Sequence, residues 1–192
     1  MNVAWAKAIS QVARDFALFT SIAFACPATA TETGIITNPD LIAEIEYGLV
    51  CNTRITGSAE APDTDTGTVN VLKGEVSFAS HRTIIPAILG VSFGVKSRSS
   101  GEPINDVTIR VTHPPLKETG TTKQSWQGYI DSSQLLAQLY KFEIPSELAL
   151  GTWVISAYKG ETLLYSIPFT VVSPANASAS LKQLCKGNDF TS

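Results

Sequence analysis

The feature that most constrains the fold of this chain is a repeated alternation of apolar and polar residues with a period of two. The clearest pair of such runs is 153–157 and 163–171, which are separated by Lys159-Gly160-Glu161. A period of two places every second side chain on one face of a strand, and a Gly-containing turn between two such runs is typical of a β-hairpin. Helical periodicity is nearly absent, so the sequence predicts an all-β protein.

Further alternating runs recur along the chain with Gly and Pro turns between them, as in antiparallel β-sandwiches. These runs lie at 45–51, 76–78, 89–95, 107–113, 126–130 and 140–144. We therefore predict a single Ig-like antiparallel β-sandwich of about seven to nine strands over residues 41–173. Its predicted core consists of apolar residues from four of these runs: Leu89, Val91, Phe93, Ile109, Val111, Trp153, Ile155 and Phe169.

Four segments depart from this pattern. Residues 56–68 are rich in Thr, Gly, Ser and Asp, which predicts an exposed, mobile loop. Segments 132–139 and 177–184 could each form two helical turns. Pro168 interrupts the last strand, and since proline cannot donate to a ladder it indicates an edge position or a bulge.

The first thirty residues resemble an export leader rather than part of the fold. Lys7 and Arg14 precede a short apolar run at 16–25, and Ala28-Thr29-Ala30 offers a small-x-small cleavage pattern. About ten apolar residues are too few to cross a bilayer, which takes roughly 20. We expect a signal peptide over 1–30, a polar lead-in over 31–40 and a periplasmic or secreted protein.

Two cysteines remain after the expected cleavage. Cys51 and Cys185 are 134 positions apart, and in an oxidising compartment they most simply form one disulfide that ties the C-terminal tail, 174–192, back to the domain. In the chain-entropy model, a disulfide that closes a loop of this length stabilises the folded protein by roughly 5 kcal/mol. Two cysteines without a nearby His are too few ligands for zinc. A lipid anchor at Cys26 is disfavoured because Phe24 and Pro27 flank it.

Charge excludes some partners. The chain without its leader carries 12 basic and 16 acidic residues, a net charge of −4, and has no run of like charges. A nucleic-acid or anionic-membrane surface needs clustered Lys and Arg, so neither partner is expected. No later segment approaches transmembrane length.

The inventory of catalytic and metal-ligating residues is thin. Only His81 and His113 are present, and no hydrolase or nucleotide-binding motif occurs. Glu44 and Glu46 alternate onto one strand face and are interpreted as surface residues. The run 63–65, Asp-Thr-Asp, lacks the further acidic ligands of an EF-hand loop. We predict no catalytic residue, no cofactor and no metal.

A possible contact face can still be named. His113 ends a strand before Pro114-Pro115, and Trp126 has polar neighbours, whereas Trp153 opens a strong strand and is expected in the core. We predict that His113, Pro114, Pro115 and Trp126 form an interaction face on two neighbouring strands joined across 116–123. The alternative is that His113 only terminates a strand and Trp126 only packs the core.

Several phrases occur in an order that resembles a known family. They are Pro86–Val95, Val111–Leu116, Gln124-Ser125-Trp126, Gly151-Thr152-Trp153 and Leu181–Cys185. Together they resemble the bacterial family catalogued as domain of unknown function 3859, over roughly residues 41–187. The resemblance implies an exported protein of Gram-negative bacteria and brings no activity with it.

The sequence thus predicts an exported, non-catalytic binding or accessory module of the bacterial envelope. Its expected partner is another envelope protein or a small exported ligand. The first alternative is an envelope hydrolase that uses His113 with a neighbouring Ser or acid, which requires His113 to lie in a cleft beside that group. The second is a carbohydrate-binding module, which requires Trp126 or a Tyr to lie flat and exposed.

Overall fold

A computed structural model describes residues 34–51, 53–178, 180 and 185. The predicted signal peptide and most of the segment 177–184 lie outside these residues. Eleven strands and one short 3-10 helix, Pro145–Glu147, are present in the described part. The strands are β1 Ile36–Thr37, β2 Ile42–Val50, β3 Ile55–Glu60, β4 Thr68–Leu72, β5 Ile84–Pro86, β6 Ser92–Ser99, β7 Ile104–Thr112, β8 Lys123–Ile130, β9 Leu136–Lys141, β10 Gly151–Lys159 and β11 Thr162–Val172.

The strands form two packed sheets and a separate hairpin. The larger sheet has the order β1-β11-β10-β7-β8, and β5 pairs with β11 in parallel. The smaller sheet has the order β2-β6-β9, with antiparallel pairs. Phe93 of β6 packs between the sheets against Trp153 and Phe169, at ring-centroid distances of 5.8 and 5.0 Å. The predicted all-β antiparallel sandwich is therefore confirmed. The described part of the chain has eleven strands where seven to nine were predicted, because β1, β3, β4 and β5 lie outside the alternating runs of the sequence.

The strongest predicted hairpin is present. β10 and β11 pair in antiparallel fashion from Gly151 and Val171 to Lys159 and Thr162, so the turn lies at Gly160 and Glu161. The other side of β11 pairs with β1 at residues 165–166 and with β5 at residues 170–172. Pro168 falls between these two stretches, where neither flanking strand needs its missing N–H.

The core agrees with the prediction at all but one position. Seven of the eight predicted core residues are fully buried: Val91, Phe93, Ile109, Val111, Trp153, Ile155 and Phe169. The prediction for Leu89 is wrong, because its side chain is 40% exposed. Gly90, at φ +83°, makes a turn there, and β6 begins only at Ser92, so Leu89 precedes the strand.

Three local predictions are wrong. Residues 56–68 form most of the hairpin β3–β4 rather than a mobile loop. The segment 132–139 contributes to β9 rather than to a helix, since pairing with β6 satisfies its backbone along the whole strand. Residues 76–78 are not a strand; Ser80 makes only an isolated bridge with Leu49.

The predicted disulfide is present. Cys51 and Cys185 are bonded, with their Cα atoms 5.0 Å apart, and both are buried. The bond therefore joins the end of β2 to the C-terminal segment.

Candidate functional site

His113 lies just beyond β7, which ends at Thr112 because Pro114 and Pro115 cannot continue the ladder. Its ring is buried and stacks on Trp153, with a centroid distance of 4.4 Å. Nδ1 is 2.9 Å from the Pro114 carbonyl, and Nε2 is 3.1 Å from Nε2 of Gln124. Burial lowers the pKa of His113. The neutral ring therefore donates through Nδ1 and accepts through Nε2.

Gln124 on β8 connects this histidine to two other segments. Its Oε1 accepts a hydrogen bond of 2.9 Å from the backbone N–H of Asp65, which fixes the orientation of the amide. Its Nε2 then donates to His113 and, at 3.0 Å, to the Tyr140 hydroxyl. Both hydrogens of the amide are used, so this buried side chain is fully paired.

The buried polar chain ends on Glu147, in the 3-10 helix. The Tyr140 hydroxyl donates to Oε1 of Glu147 at 2.9 Å, and Oε2 accepts from the backbone N–H groups of Glu143 and Ile144. Burial raises the pKa of Glu147. Burial, reinforced by the charge of Glu147, also raises the pKa of Tyr140. We call His113, Gln124, Tyr140 and Glu147 the polar chain.

The hydrogen bonds of the polar chain join its members to one another and to the backbone. In the described part of the protein, the hydrogen-bond partners of His113 are a backbone carbonyl and an amide, neither of which is a nucleophile or a carboxylate. A catalytic His needs such a partner within hydrogen-bond reach. Each polar side chain of the set is instead satisfied by its neighbours.

The structure places the predicted interaction face mostly inside the protein. β7 and β8 are neighbours, as predicted, with Thr112 opposite Lys123. However, His113 and Trp126 are buried, and Pro115 is the exposed member of the face. The burial of Trp126 agrees with the alternative that this ring packs in the core, because β8 turns its even-numbered residues inward. Contact of this face with a partner stays a prediction.

Trp126 meets the edge of the smaller sheet. Its Nε1 donates to Oε1 of Gln138 on β9 at 3.1 Å. Gly128 leaves room for this amide, since a Cβ there would lie 3.0 Å from Nε2 of Gln138. Trp126 and Gln138 thus connect β8 and β9, which are the terminal strands of the two sheets.

A groove of about 950 Å³ lies along these terminal strands, beneath the hairpin β3–β4. Gln124, Tyr140 and Glu147 contribute to its floor. Its walls carry two half-exposed hydrophobic side chains, Tyr129 at 49% and Val71 at 45% exposure. Pockets of this volume are large enough for a ligand of drug size or greater.

Hydrogen bonds hold the hairpin at both ends of the groove. At the turn, the Ser125 N–H donates to the Asp63 carbonyl at 3.1 Å, beside the bond from Asp65 to Gln124. Near the other end, Nδ2 of Asn70 donates to Oε1 of Glu143 at 2.8 Å. The predicted loop is therefore a strap over the groove.

The remaining charged candidates are accounted for by local pairing. Glu44 and Glu46 form ion pairs of 3.2 Å with Arg98 and Lys96 on the neighbouring strand β6. No group of three or more His, Cys, Asp or Glu side chains suited to a metal ion occurs within the described residues. No helix among those residues is long and apolar enough to cross a membrane.

Sequence reasoning missed Gln124, Tyr140 and Glu147 as a set. Gln124 is a polar residue beside Trp126 in the sequence, and in the structure both side chains point inward. Glu147 follows Pro145-Ser146 after a strand, a pattern that also describes an ordinary exposed turn. The sequence does contain one indication of the inward position of Gln124: it lies an even number of residues from Trp126 and Ile130, and therefore on the same face of the strand.

Comparison with known proteins extends these observations. A crystal structure of an immunoglobulin-like protein from Pseudomonas aeruginosa is similar to this chain, with a TM-score of 0.50 and 20% sequence identity, over 74% of this chain and 99% of that one. At this identity the likeness shows the fold, and it confirms the predicted Ig-like sandwich. No curated protein matches the sequence. The model of the family described as Domain of unknown function (DUF3859) matches residues 39–171, and the chain therefore belongs to this family.

Proposed function

We propose that this protein is an exported, non-catalytic binding module of the bacterial envelope, and that the groove beneath β3–β4 is its binding site. The observation that carries the proposal is the groove itself, which combines exposed Tyr129 and Val71 with a floor whose polar groups are already paired. The lining of the groove is mixed, with Thr, Asn, Gln and Lys side chains beside the apolar ones, and concave sites that combine both kinds of side chain are typical of ligand sites.

The disulfide supports the proposed compartment. The bond between Cys51 and Cys185 is of the kind that persists in the periplasm or outside the cell. The leader pattern of residues 1–30, with cleavage after Ala30, provides the route of export. Another envelope protein or a small exported ligand is the proposed partner.

The two alternatives make different demands on the site. A hydrolase would have to use His113, whose ring is stacked on Trp153 and bonded to Gln124. A carbohydrate-binding module would have to use Tyr129, because Trp126 is buried and its N–H is occupied by Gln138. Among the described residues, no further contact supports the hydrolase or the carbohydrate-binding module.

The test is affinity capture from the native envelope with the disulfide-bonded protein as bait. We expect at least one component to be retained by the wild type and lost with a Tyr129→Ala, Val71→Ala double variant. Leu150→Ala is the matched control, because Leu150 is 53% exposed and lies outside the groove. All variants should first give the wild-type far-UV circular dichroism spectrum.

Three results would contradict the proposal. If the Tyr129→Ala, Val71→Ala double variant retains every component that the wild type captures, the groove is not the site. Hydrolysis of a chromogenic ester that His113→Gln abolishes would favour the hydrolase. Binding on a glycan array that Tyr129→Ala alone abolishes would favour the carbohydrate-binding module.

A further inference from the structure

We propose that the groove binds an extended polypeptide segment, which adds as a new strand to the outer edge of β9. This inference rests on the proposed function, since it names the ligand class of the same groove. Three observations carry the inference. They are the strand edges that border the groove, the pairing of each edge with other strands, and the side chains that line the groove between the edges.

The first step concerns β9. All six of its residues, Leu136–Lys141, line the groove. Successive residues of a strand point to opposite faces, so a groove that touches every residue runs along the strand edge. Within the described part of the chain, β9 pairs only with β6. Its other edge therefore presents N–H and C=O groups without a strand partner.

The opposite wall is a second free edge. All five residues of β4 line the groove, whereas Ala59 is the only contribution from β3. β4 pairs only with β3 among the described strands. The edge of β8 also borders the groove, but the Ser125 N–H there already donates to Asp63. β9 is thus the edge with the longest unpaired stretch.

The chemistry of these edges selects the ligand. Backbone donors and acceptors that repeat along an extended strand match another extended polypeptide, which is the basis of recognition by strand addition. The six residues of β9 span about 20 Å at roughly 3.3 Å per residue, which suits a segment of about five or six residues. Tyr129 and Val71 offer apolar contact to its side chains.

The hairpin explains why this edge can remain open. A long free edge invites pairing between copies of a protein, and natural sheets shield such edges with a covering element. β3–β4 lies over the groove and is held by Asn70 and Asp65, which hinders a second folded sheet from approaching. A single flexible segment has less bulk and can enter.

The test begins with a displayed library of random peptides of about 12 residues, selected against the disulfide-bonded protein. The selected peptide is then synthesised unmodified and in two forms that carry N-methyl groups at alternate residues. Loss of several backbone hydrogen bonds should weaken binding by about tenfold or more in one methylated form and little in the other. Amide exchange in β9 should slow on binding, while exchange in β10, which is paired on both sides, should not change.

Other outcomes overturn the inference. It fails if no peptide is selected, if both methylated forms bind as well as the parent, or if the amides of β9 are not among those that the peptide protects. Tyr129→Ala should lower the affinity for the selected peptide, and Leu150→Ala should leave that affinity unchanged. If envelope capture still depends on the groove while peptides do not bind it, the proposed function stands and only the ligand class is wrong.

Discussion

The hairpins β10–β11 and β3–β4 have the same topology but are held in different ways. In β10–β11, Trp153 and Phe169 are fully buried and the pair lies inside the larger sheet. In β3–β4, all six β3 residues are exposed, and hydrogen bonds from Asp65 and Asn70 attach the pair to the rest of the protein. An apolar core therefore determines the first hairpin, whereas polar contacts with distant segments position the second together with Ala61 and Val69, which pack against the core.

The largest contrast should come from removing one side chain from each hairpin. Trp153→Ala should lower the free energy of unfolding by about 3–5 kcal/mol, because it empties a site packed against Phe93 and Phe142. Val71→Ala on β4 should change it by less than about 0.5 kcal/mol. Urea denaturation measures both. Equal losses would mean that both hairpins are held by the core.

The disulfide should have the next largest effect, and it acts near the start of β3. Replacing Cys51 and Cys185 with Ser should lower the free energy of unfolding by roughly 2–5 kcal/mol. The far-UV spectrum should remain that of a β-protein, because the sandwich core is formed by other residues. We expect amide exchange to rise in β3–β4 more than in β10–β11. A double variant as stable as the wild type would contradict the prediction.

Acid should weaken the contacts through which the polar chain holds the hairpin. Because burial lowers the pKa of His113, the unfolded chain binds a proton first as the pH falls below about 6.5. The free energy of unfolding should then decrease with falling pH, by at most ~1.4 kcal/mol per pH unit for one proton, until the folded protein is protonated too. Denaturant titrations between about pH 7 and pH 5 measure this slope.

His113→Gln provides the control for that slope. Glu147 acts with the opposite sign, since its raised pKa gives stability that is present at low pH and lost as the pH rises through its folded value. The variant keeps the contribution of Glu147 and removes that of His113, so the difference between the two titrations isolates His113. If the free energy of unfolding has the same pH dependence in the wild type and in His113→Gln, folding does not change the pKa of His113.

The smallest effect is local. Asn70→Ala removes the hydrogen bond to Glu143 and, because that bond is exposed, should cost less than about 1 kcal/mol in global stability. Amide exchange in β3–β4 should nevertheless accelerate, while that in β10–β11 stays the same. Gln127→Ala is the matched control, since it removes an exposed bond to Thr108 within the larger sheet. If amide exchange in β3–β4 is faster in both variants, the hydrogen bond of Asn70 is not what holds this hairpin.

Most of the sandwich could be predicted from the sequence, and the hairpin β3–β4 could not. Alternation identified β2, β6, β7, β8, β10 and β11, because burial of one face imposes a period of two. The segment 56–68 has no apolar alternation, so its composition indicates a loop. Its strand pairing is stabilised by partners more than fifty residues away, such as Gln124 for Asp65.

The candidate site was predicted only in its position along the chain. The sequence indicated the neighbourhood of His113 and Trp126 but left open whether they form a contact face or pack inside the protein. Although Gln124 shares the period-two face of Trp126 and Ile130, its side chain does not by itself predict burial, because a polar residue gains from burial only when several partners meet it. Those partners are His113 just beyond β7, Tyr140 on β9 and Asp65 in the hairpin turn, which lie 11, 16 and 59 residues away along the chain.

By itself, the amino-acid sequence determined the all-β class, the position of most strands, nearly all of the predicted core and the cysteine pair. These features depend on local periodicity and on residue chemistry, which a sequence displays directly. Only the tertiary structure decided which strand edges remain free and which polar side chains are buried together. Both depend on contacts between segments that are far apart along the chain, and no period in the sequence records them.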